Sequence, residues 1–215
     1  MSYDLILGSA SPRRKELLAR LCPDFVIKVP HVCEVKFADS AALLLDMLNS
    51  APGIAETVKN LPMTTAAQAA LVKLNAEIKA EKIAALNPND VVLAADTIVV
   101  WDGKTIGKPQ DLADAVRILR LLSGQIHYVF TAVVLQHNLL HKKYSFIAVT
   151  KVKFKPYTMQ TINEYLQLVA VLDKAGGYGI QEHGAMLCES YDGELENIIG
   201  LPLQQLSRIL PEWLD

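Results

Sequence analysis

Two arginines follow a serine-rich turn near the start of the chain, in the run Gly8-Ser9-Ala10-Ser11-Pro12-Arg13-Arg14. A helix that begins at Ser11-Pro12 has unpaired N–H groups and a partial positive charge in its first turn, so two arginines are unfavourable there unless an anion binds nearby. A phosphate could accept hydrogen bonds from the free N–H groups, from Ser9 and from both guanidinium groups. The alternative is a solvated helix start with ordinary surface arginines.

Asp96 lies in the middle of an almost wholly apolar run, Val91–Trp101. A carboxylate inside a buried strand is costly unless a cation or a hydrogen-bond donor meets it. Such a group could bind a metal, act as a general base towards water, or do both. The alternative is a buried aspartate that pairs with an arginine or caps a loop.

Two later segments are weaker candidates for nucleotide contacts. Lys108 precedes Pro109, which restricts the backbone and could present the ammonium group to a phosphate; an ordinary surface lysine is the alternative. In the glycine-rich segment 173–181, Tyr178 could pack on a base, and Gln181 offers a donor and an acceptor to a base edge. The alternative there is a flexible turn.

Composition excludes several classes of function. The 215-residue chain has a net charge of −2, which provides no broad positive surface for nucleic acid. Its three cysteines and five histidines show no zinc-ligand spacing, and the scattered cysteines are typical of a reducing compartment. No uncharged apolar run approaches the roughly 18 residues of a membrane helix, and the N-terminal basic residues follow the apolar run instead of preceding it. We therefore expect a cytoplasmic protein that binds neither nucleic acid nor a membrane.

The elements that must position these residues alternate between strands and helices. The apolar run before Gly8 predicts a strand that leads into the arginine-bearing helix, and the run around Asp96 predicts a strand buried on both faces, ended by a hairpin turn at Asp102-Gly103. Alternation of apolar residues with lysines over residues 146–155 predicts an antiparallel strand. We expect one α/β domain with a mixed sheet, including a strand near residues 185–188 and a last helix over residues 203–210.

Several segments, taken together, resemble the Maf family of nucleotide pyrophosphatases: LGSASPRRKELL, AADTIVVWDGKTIGKP, LDKAGGYGIQEHGA and NIIGLPL. The resemblance implies a two-lobed α/β fold, with a mixed sheet flanked by helices and a central cleft, and usually a homodimer. It also implies hydrolysis of a nucleoside triphosphate between the α and β phosphates. The cofactor would be a divalent metal, normally Mg²⁺, with Mn²⁺ or Co²⁺ as alternatives.

The resemblance also assigns roles to individual positions. Ser9, Arg13 and Arg14 match the phosphate-binding turn, and Asp96 matches the catalytic acid that accepts a proton. The segment 178–181 looks like the branch of the family that acts on dTTP and UTP. The remaining matches are the charged site residues Glu34, Lys79 and Lys108, the substrate-selecting positions Arg13, Thr97 and Gln181, and the metal-binding pair Asp96 and Glu34.

Three features depart from the family pattern. Residues 168–171 lack the carboxylate of the family's Ser/Thr-Gly-Glu-Pro run, and Cys33-Glu34 replaces an acidic pair. The segment at about 39–61 is longer and more apolar than expected, and could be a lid, an added helix or part of a dimer surface. These departures leave open an alternative function, that of a nucleotide-binding regulatory protein of cell division.

Overall fold

The computed structural model describes residues 4–35 and 66–214. The predicted insertion at 39–61 lies outside the described residues. The strands are β1 Leu5–Gly8, β2 Val26–Ile27, β3 Val91–Trp101, β4 Lys104–Ile106, β5 Ile126–His137, β6 Lys142–Phe154 and β7 Cys188–Asp192. The helices are α1 Pro12–Ala19, α2 Ala66–Ala84, α3 Leu112–Leu122, α4 Met159–Leu168, α5 Leu195–Ile199, α6 Leu203–Ile209 and α7 Pro211–Leu214.

The seven strands within the described ranges form one mixed sheet. Its order is β2-β1-β3-β5-β6-β7, with β4 beside β3. β1 runs parallel to β2 and β3, whereas the pairs from β3 through β5 and β6 to β7 are antiparallel. The α/β class with a mixed sheet flanked by helices is therefore confirmed.

One edge of β3 is divided between two partner strands. β1 pairs with β3 only as far as Ala94, and β4 begins its pairing at Val99. Residues 95–98, which we call the edge gap, therefore pair on one side only, with β5, in the described part of the chain. The gap opens where β1 ends and α1 begins, which is where ligands bind in many parallel sheets.

The two faces of β3 pack against different helices. Side chains of a strand alternate between the faces of its sheet. Leu93 and Ala95 pack in a core that also contains residues of α1 and α6, whereas Ala94 and Ile98 pack in a second core built largely from α2. The same alternation directs Asp96 towards α2 and Thr97 towards α1.

The predicted hairpin turn is confirmed, because Asp102 and Gly103 both have positive φ, at 49° and 68°. The predicted strand near residues 185–188 is wrong: Gly184–Met186 is a 3₁₀ turn and β7 begins only at Cys188. β7 is a polar, largely exposed edge strand, so it lacks the apolar signal on which the prediction depended. None of the helices in the described ranges combines the length and apolar character needed to cross a membrane.

Candidate active site

A cavity of about 650 Å³ lies at the edge gap. Its walls come from the first turn of α1, the middle of β3, α2, the loop after β4, the loop 173–182 and the end of α5. All of the predicted site residues except Ser9 line it. The structure thus brings the predicted set together, while the catalytic and binding role of each residue stays a prediction.

Arg14 is held on one side of the gap by three fixed acceptors. The N-cap Ser11 and Pro12 begin α1, as predicted, and the Ser11 hydroxyl accepts from the Arg14 backbone N–H. The Arg14 side chain donates from Nε to the Gly200 carbonyl at 2.9 Å, from Nη2 to Thr97 Oγ1 at 2.9 Å and from Nη1 to Ser9 Oγ at 3.4 Å. Burial lowers the pKa of Arg14, and the charges of nearby Asp96 and Glu34 oppose that shift.

Behind Thr97, a chain of buried hydroxyl groups orients this arginine contact. Thr131 lies directly opposite Thr97 in β5, with 3.0 Å between their hydroxyl oxygens, and donates to the Asn197 carbonyl at 3.1 Å. Since the Thr131 proton is used there, Thr97 must donate to Thr131, and its own oxygen accepts from Arg14. Sequence reasoning assigned no role to Thr131, Asn197 or Gly200. The only signal for the last two was the matching segment NIIGLPL.

Asp96 occupies the opposite side of the gap within a charged cluster. Its carboxylate is buried, and Oδ1 accepts from Lys79 Nζ at 2.6 Å. The same ammonium group lies 2.6 Å from Glu34 Oε1, so it bridges the two carboxylates. Partial burial acts to raise the pKa of Glu34, but the hydrogen bond and charge of Lys79, with Lys108 and Arg14, lower it below the ordinary value.

The donor set suits a metal that is shared with a ligand. Asp96 and Glu34 converge on one cation, the Lys79 ammonium. The described residues include no group of three or more His, Cys, Asp or Glu side chains that could hold a metal by themselves. Mg²⁺ commonly takes one or two carboxylates and completes its shell with water and substrate phosphates. The two acids therefore fit Mg²⁺ together with a polyphosphate.

The remaining charged residues lie around the mouth of the cavity. Arg13 turns away from Arg14 and donates to Asp173 Oδ2 at 2.8 Å. Partial burial acts to raise the pKa of Asp173, but hydrogen bonds from Lys174 and Arg13 lower it below the ordinary value. Lys108 and Gln181 are both exposed and line the cavity, so both are accessible to a ligand.

Tyr178 lies in the wall between the cavity and the core. Its side chain is only 6% exposed, and its hydroxyl pairs with His127 Nε2 at 2.9 Å. The ring packs edge-on against Phe154, with 4.9 Å between the centroids. Burial lowers the pKa of His127 to about 3, so this partner is neutral near pH 7. Tyr178 therefore packs mainly in the core while it also lines the cavity, and its contact with a base stays a prediction.

Fold and site together define an α/β protein with a cleft lined by arginine and lysine side chains and a buried acid at a break in its sheet edge. The family model described as "Maf-like protein" matches residues 4–213. The chain therefore belongs to the Maf family, as the sequence motifs predicted.

Curated relatives match over nearly the whole chain. The "dTTP/UTP pyrophosphatase" of Dictyoglomus thermophilum is 37% identical, covering 98% of this chain and 96% of the relative. The protein of the same name from Bacillus pumilus is 38% identical, with coverages of 96% and 94%. That of Clostridioides difficile is 36% identical, with coverages of 99% and 96%. Among solved structures, the Ham1 protein of Staphylococcus aureus matches at 12% identity with a TM-score of 0.48, covering 97% of this chain and 98% of that chain.

Proposed function

We propose that this chain hydrolyses dTTP and UTP to the nucleoside monophosphate and pyrophosphate. Relatives that bear the name dTTP/UTP pyrophosphatase align with almost its full length. The observation that carries the proposal is the placement of Asp96 and Arg14 at one cavity, where a buried acid and a fixed cation approach from opposite sides of the edge gap.

The arginine side of the cavity suits the triphosphate. Arg14 supplies directional donors, and Lys108 adds an exposed positive charge that lines the cavity. Ser9 lies behind Arg14, where its hydroxyl accepts from both Arg14 and the Ser11 backbone N–H. We assign Ser9 to positioning the arginine, and Arg14 to direct contact with phosphate oxygens.

The acid side suits the attack of water on the α-phosphorus. Lys79 donates to Asp96 Oδ1, and no described residue donates to Oδ2, which is free to accept a proton from water. As the water oxygen bonds to the α-phosphorus, the bond to the bridging oxygen breaks and pyrophosphate leaves with the electron pair. Arg14, Lys79 and Lys108 stabilise the negative charge that spreads over the phosphate oxygens.

A divalent metal, which we propose to be Mg²⁺ with Mn²⁺ or Co²⁺ as alternatives, would be held by Asp96 and Glu34. When bound, it supplies further positive charge to the phosphate oxygens. A homodimer and a cytoplasmic location stay predictions. The free thiols of Cys22, Cys33 and Cys188 support a reducing compartment.

Pyrophosphate release with Mg²⁺ from a panel of dTTP, UTP, CTP, ITP and 7-methyl-GTP tests this proposal. We expect fast release from dTTP and UTP. Release from ITP or 7-methyl-GTP alone would support the pyrophosphatase reaction but contradict dTTP and UTP as the substrates. If no nucleotide is hydrolysed although dTTP binds, the protein acts as a nucleotide-binding regulator instead.

A further inference from the structure

A buried lysine lies beneath the loop that carries Gln181. Lys174 is 6% exposed, and buried lysines are rare unless they are paired. Its ammonium group donates to the Ala170 carbonyl and to Asp173 Oδ1 at 3.0 Å, and it lies 3.3 Å from Glu182 Oε1. Three acceptors thus match the three protons of an ammonium group. The Ala170 carbonyl belongs to the run in which the family carboxylate is missing.

The loop is also fastened at its other end, at Gly179. The hydroxyl of buried Tyr165 accepts from the Gly179 N–H at 2.9 Å and donates to the Gly179 carbonyl at 3.2 Å. Burial raises the pKa of Tyr165 to about 12, so the hydroxyl keeps its proton near neutral pH. A Cβ at Gly179 would lie 2.8 Å from Lys174 Cε. A side chain at position 179 would therefore displace the end of the lysine side chain.

Asp173 connects this lysine to the opposite wall of the cavity. Its Oδ1 accepts from Lys174, and its Oδ2 accepts from Arg13 Nη1 at 2.8 Å. Charged contacts therefore run without a break from Glu182 through Lys174 and Asp173 to Arg13. Gln181 precedes Glu182 directly and lines the cavity, so one end of this chain of contacts lies beside the Gln181 amide and the other lies in the first turn of α1.

We infer that Lys174 is a positioning residue for substrate selection, which fixes the distance between Arg13 and the loop that carries Gln181. This inference rests on the proposed function, since it concerns which nucleotide fits the cavity. In the described part of the chain Lys174 contacts Ala170, Asp173 and Glu182 but not Asp96, so the chemical step on a correctly bound nucleotide does not require it. Loss of the lysine contacts should therefore raise KM and weaken the preference for pyrimidines, with little effect on kcat.

The first test loosens the loop from its exposed end, with a matched control. Glu182→Gln weakens the contact with Lys174, and Glu189→Gln weakens an ion pair with Lys153 outside the cavity. Both glutamate side chains are 44% exposed, so neither change should prevent folding. We expect Glu182→Gln to raise KM for dTTP by about tenfold while kcat changes by less than about twofold. Equal KM values in the two variants, or a fall confined to kcat, would overturn the inference.

A second test measures binding and needs no turnover. In an Asp96→Asn background, the ratio of the Kd for dATP to the Kd for dTTP is compared with and without Lys174→Met and Asp173→Asn. We expect each change to reduce the ratio, and the pair to act less than additively because both break the same chain of contacts. An unchanged ratio would contradict the role of Lys174. If Lys174→Met does not fold, Asp173→Asn and Glu182→Gln decide the question.

These readouts separate the two proposals. A wild-type protein that releases no pyrophosphate disproves the proposed reaction, whereas the Kd ratio still reports whether Lys174 sets the choice of nucleotide. Conversely, if the wild type hydrolyses dTTP fast and the variants leave the Kd ratio unchanged, the proposed reaction is supported and the positioning role of Lys174 is disproved.

Discussion

Asp96 and Thr97 are neighbours in β3 but lie on opposite sides of the edge gap. The two sides differ in the kind of contact that holds their charged residues. On the Asp96 side, the contacts join charged side chains, and the bridging Lys79 ammonium belongs to a long, rotatable chain. On the Thr97 side, Arg14 is held by the Gly200 carbonyl and by hydroxyl groups that end at another backbone carbonyl. The backbone carbonyl groups therefore hold Arg14 in one position. Asp96 instead pairs with the Lys79 ammonium group, which another cation can replace.

Removal of the charge at Asp96 should have the largest effect. Asp96→Asn keeps the shape and the acceptor for Lys79 but cannot accept a proton from water, so we expect turnover of dTTP to fall by about 10²–10⁴-fold. Calorimetry should still detect dTTP binding. Asp102→Asn is the matched control, because this exposed turn residue lies outside the cavity lining. Retention of more than about a tenth of the turnover would contradict a role as general base.

A change of the fixed cation should have an intermediate effect. Arg14→Lys keeps the charge but loses the fork that donates to Gly200, Thr97 and Ser9 together, so we expect kcat/KM for dTTP to fall by about 10–100-fold. Arg20→Lys, in the same segment, alters only an exposed contact with Glu196 and should leave kcat/KM unchanged. Equal values for the two variants would show that the rigid arginine side is not needed.

The smallest effect should come from the hydroxyl behind Thr97. Thr131→Val removes the acceptor that orients Thr97, so we expect the free energy of unfolding to fall by about 1 kcal/mol and kcat/KM by a few-fold. Thr150→Val also removes a buried hydroxyl, but one that bonds Glu194 and Asn197 away from the cavity. It should therefore lower stability without a change in kcat/KM. Urea unfolding and steady-state kinetics on both variants measure the difference, and equal kcat/KM values would break the proposed connection to Arg14.

The sequence predicted the parts of the fold that leave a local signal. The almost wholly apolar run around Asp96 predicted β3 with its correct ends, and the serine and proline before Arg13 predicted the start of α1. β7 could not be found this way, because an exposed polar edge strand shows no apolar alternation.

The partners of the site residues were harder to predict than the residues themselves. Arg14 meets Gly200 across 186 positions of the chain, and only tertiary packing determines such a contact. An aromatic residue in a glycine-rich loop fits a core and a binding site equally well, so the sequence could not place the Tyr178 ring. One of the three acceptors of Lys174 is the backbone carbonyl of Ala170. Every residue type has this carbonyl, so the sequence carries no signal for the contact.

Because Asp96 and Thr97 face opposite sides of the sheet, the gene should tolerate few insertions or deletions in the codons before them. A single codon inserted or deleted between positions 91 and 95 would rotate the acid towards Arg14 and the hydroxyl towards Lys79, because one residue of slip exchanges the faces of a strand. The carboxylate would then neutralise Arg14, to which we assign the contact with phosphate, and Lys79 would lose its buried partner Asp96. Length variation in this part of the gene is therefore expected in the exposed Asp102-Gly103 turn and excluded from the strand before the acid.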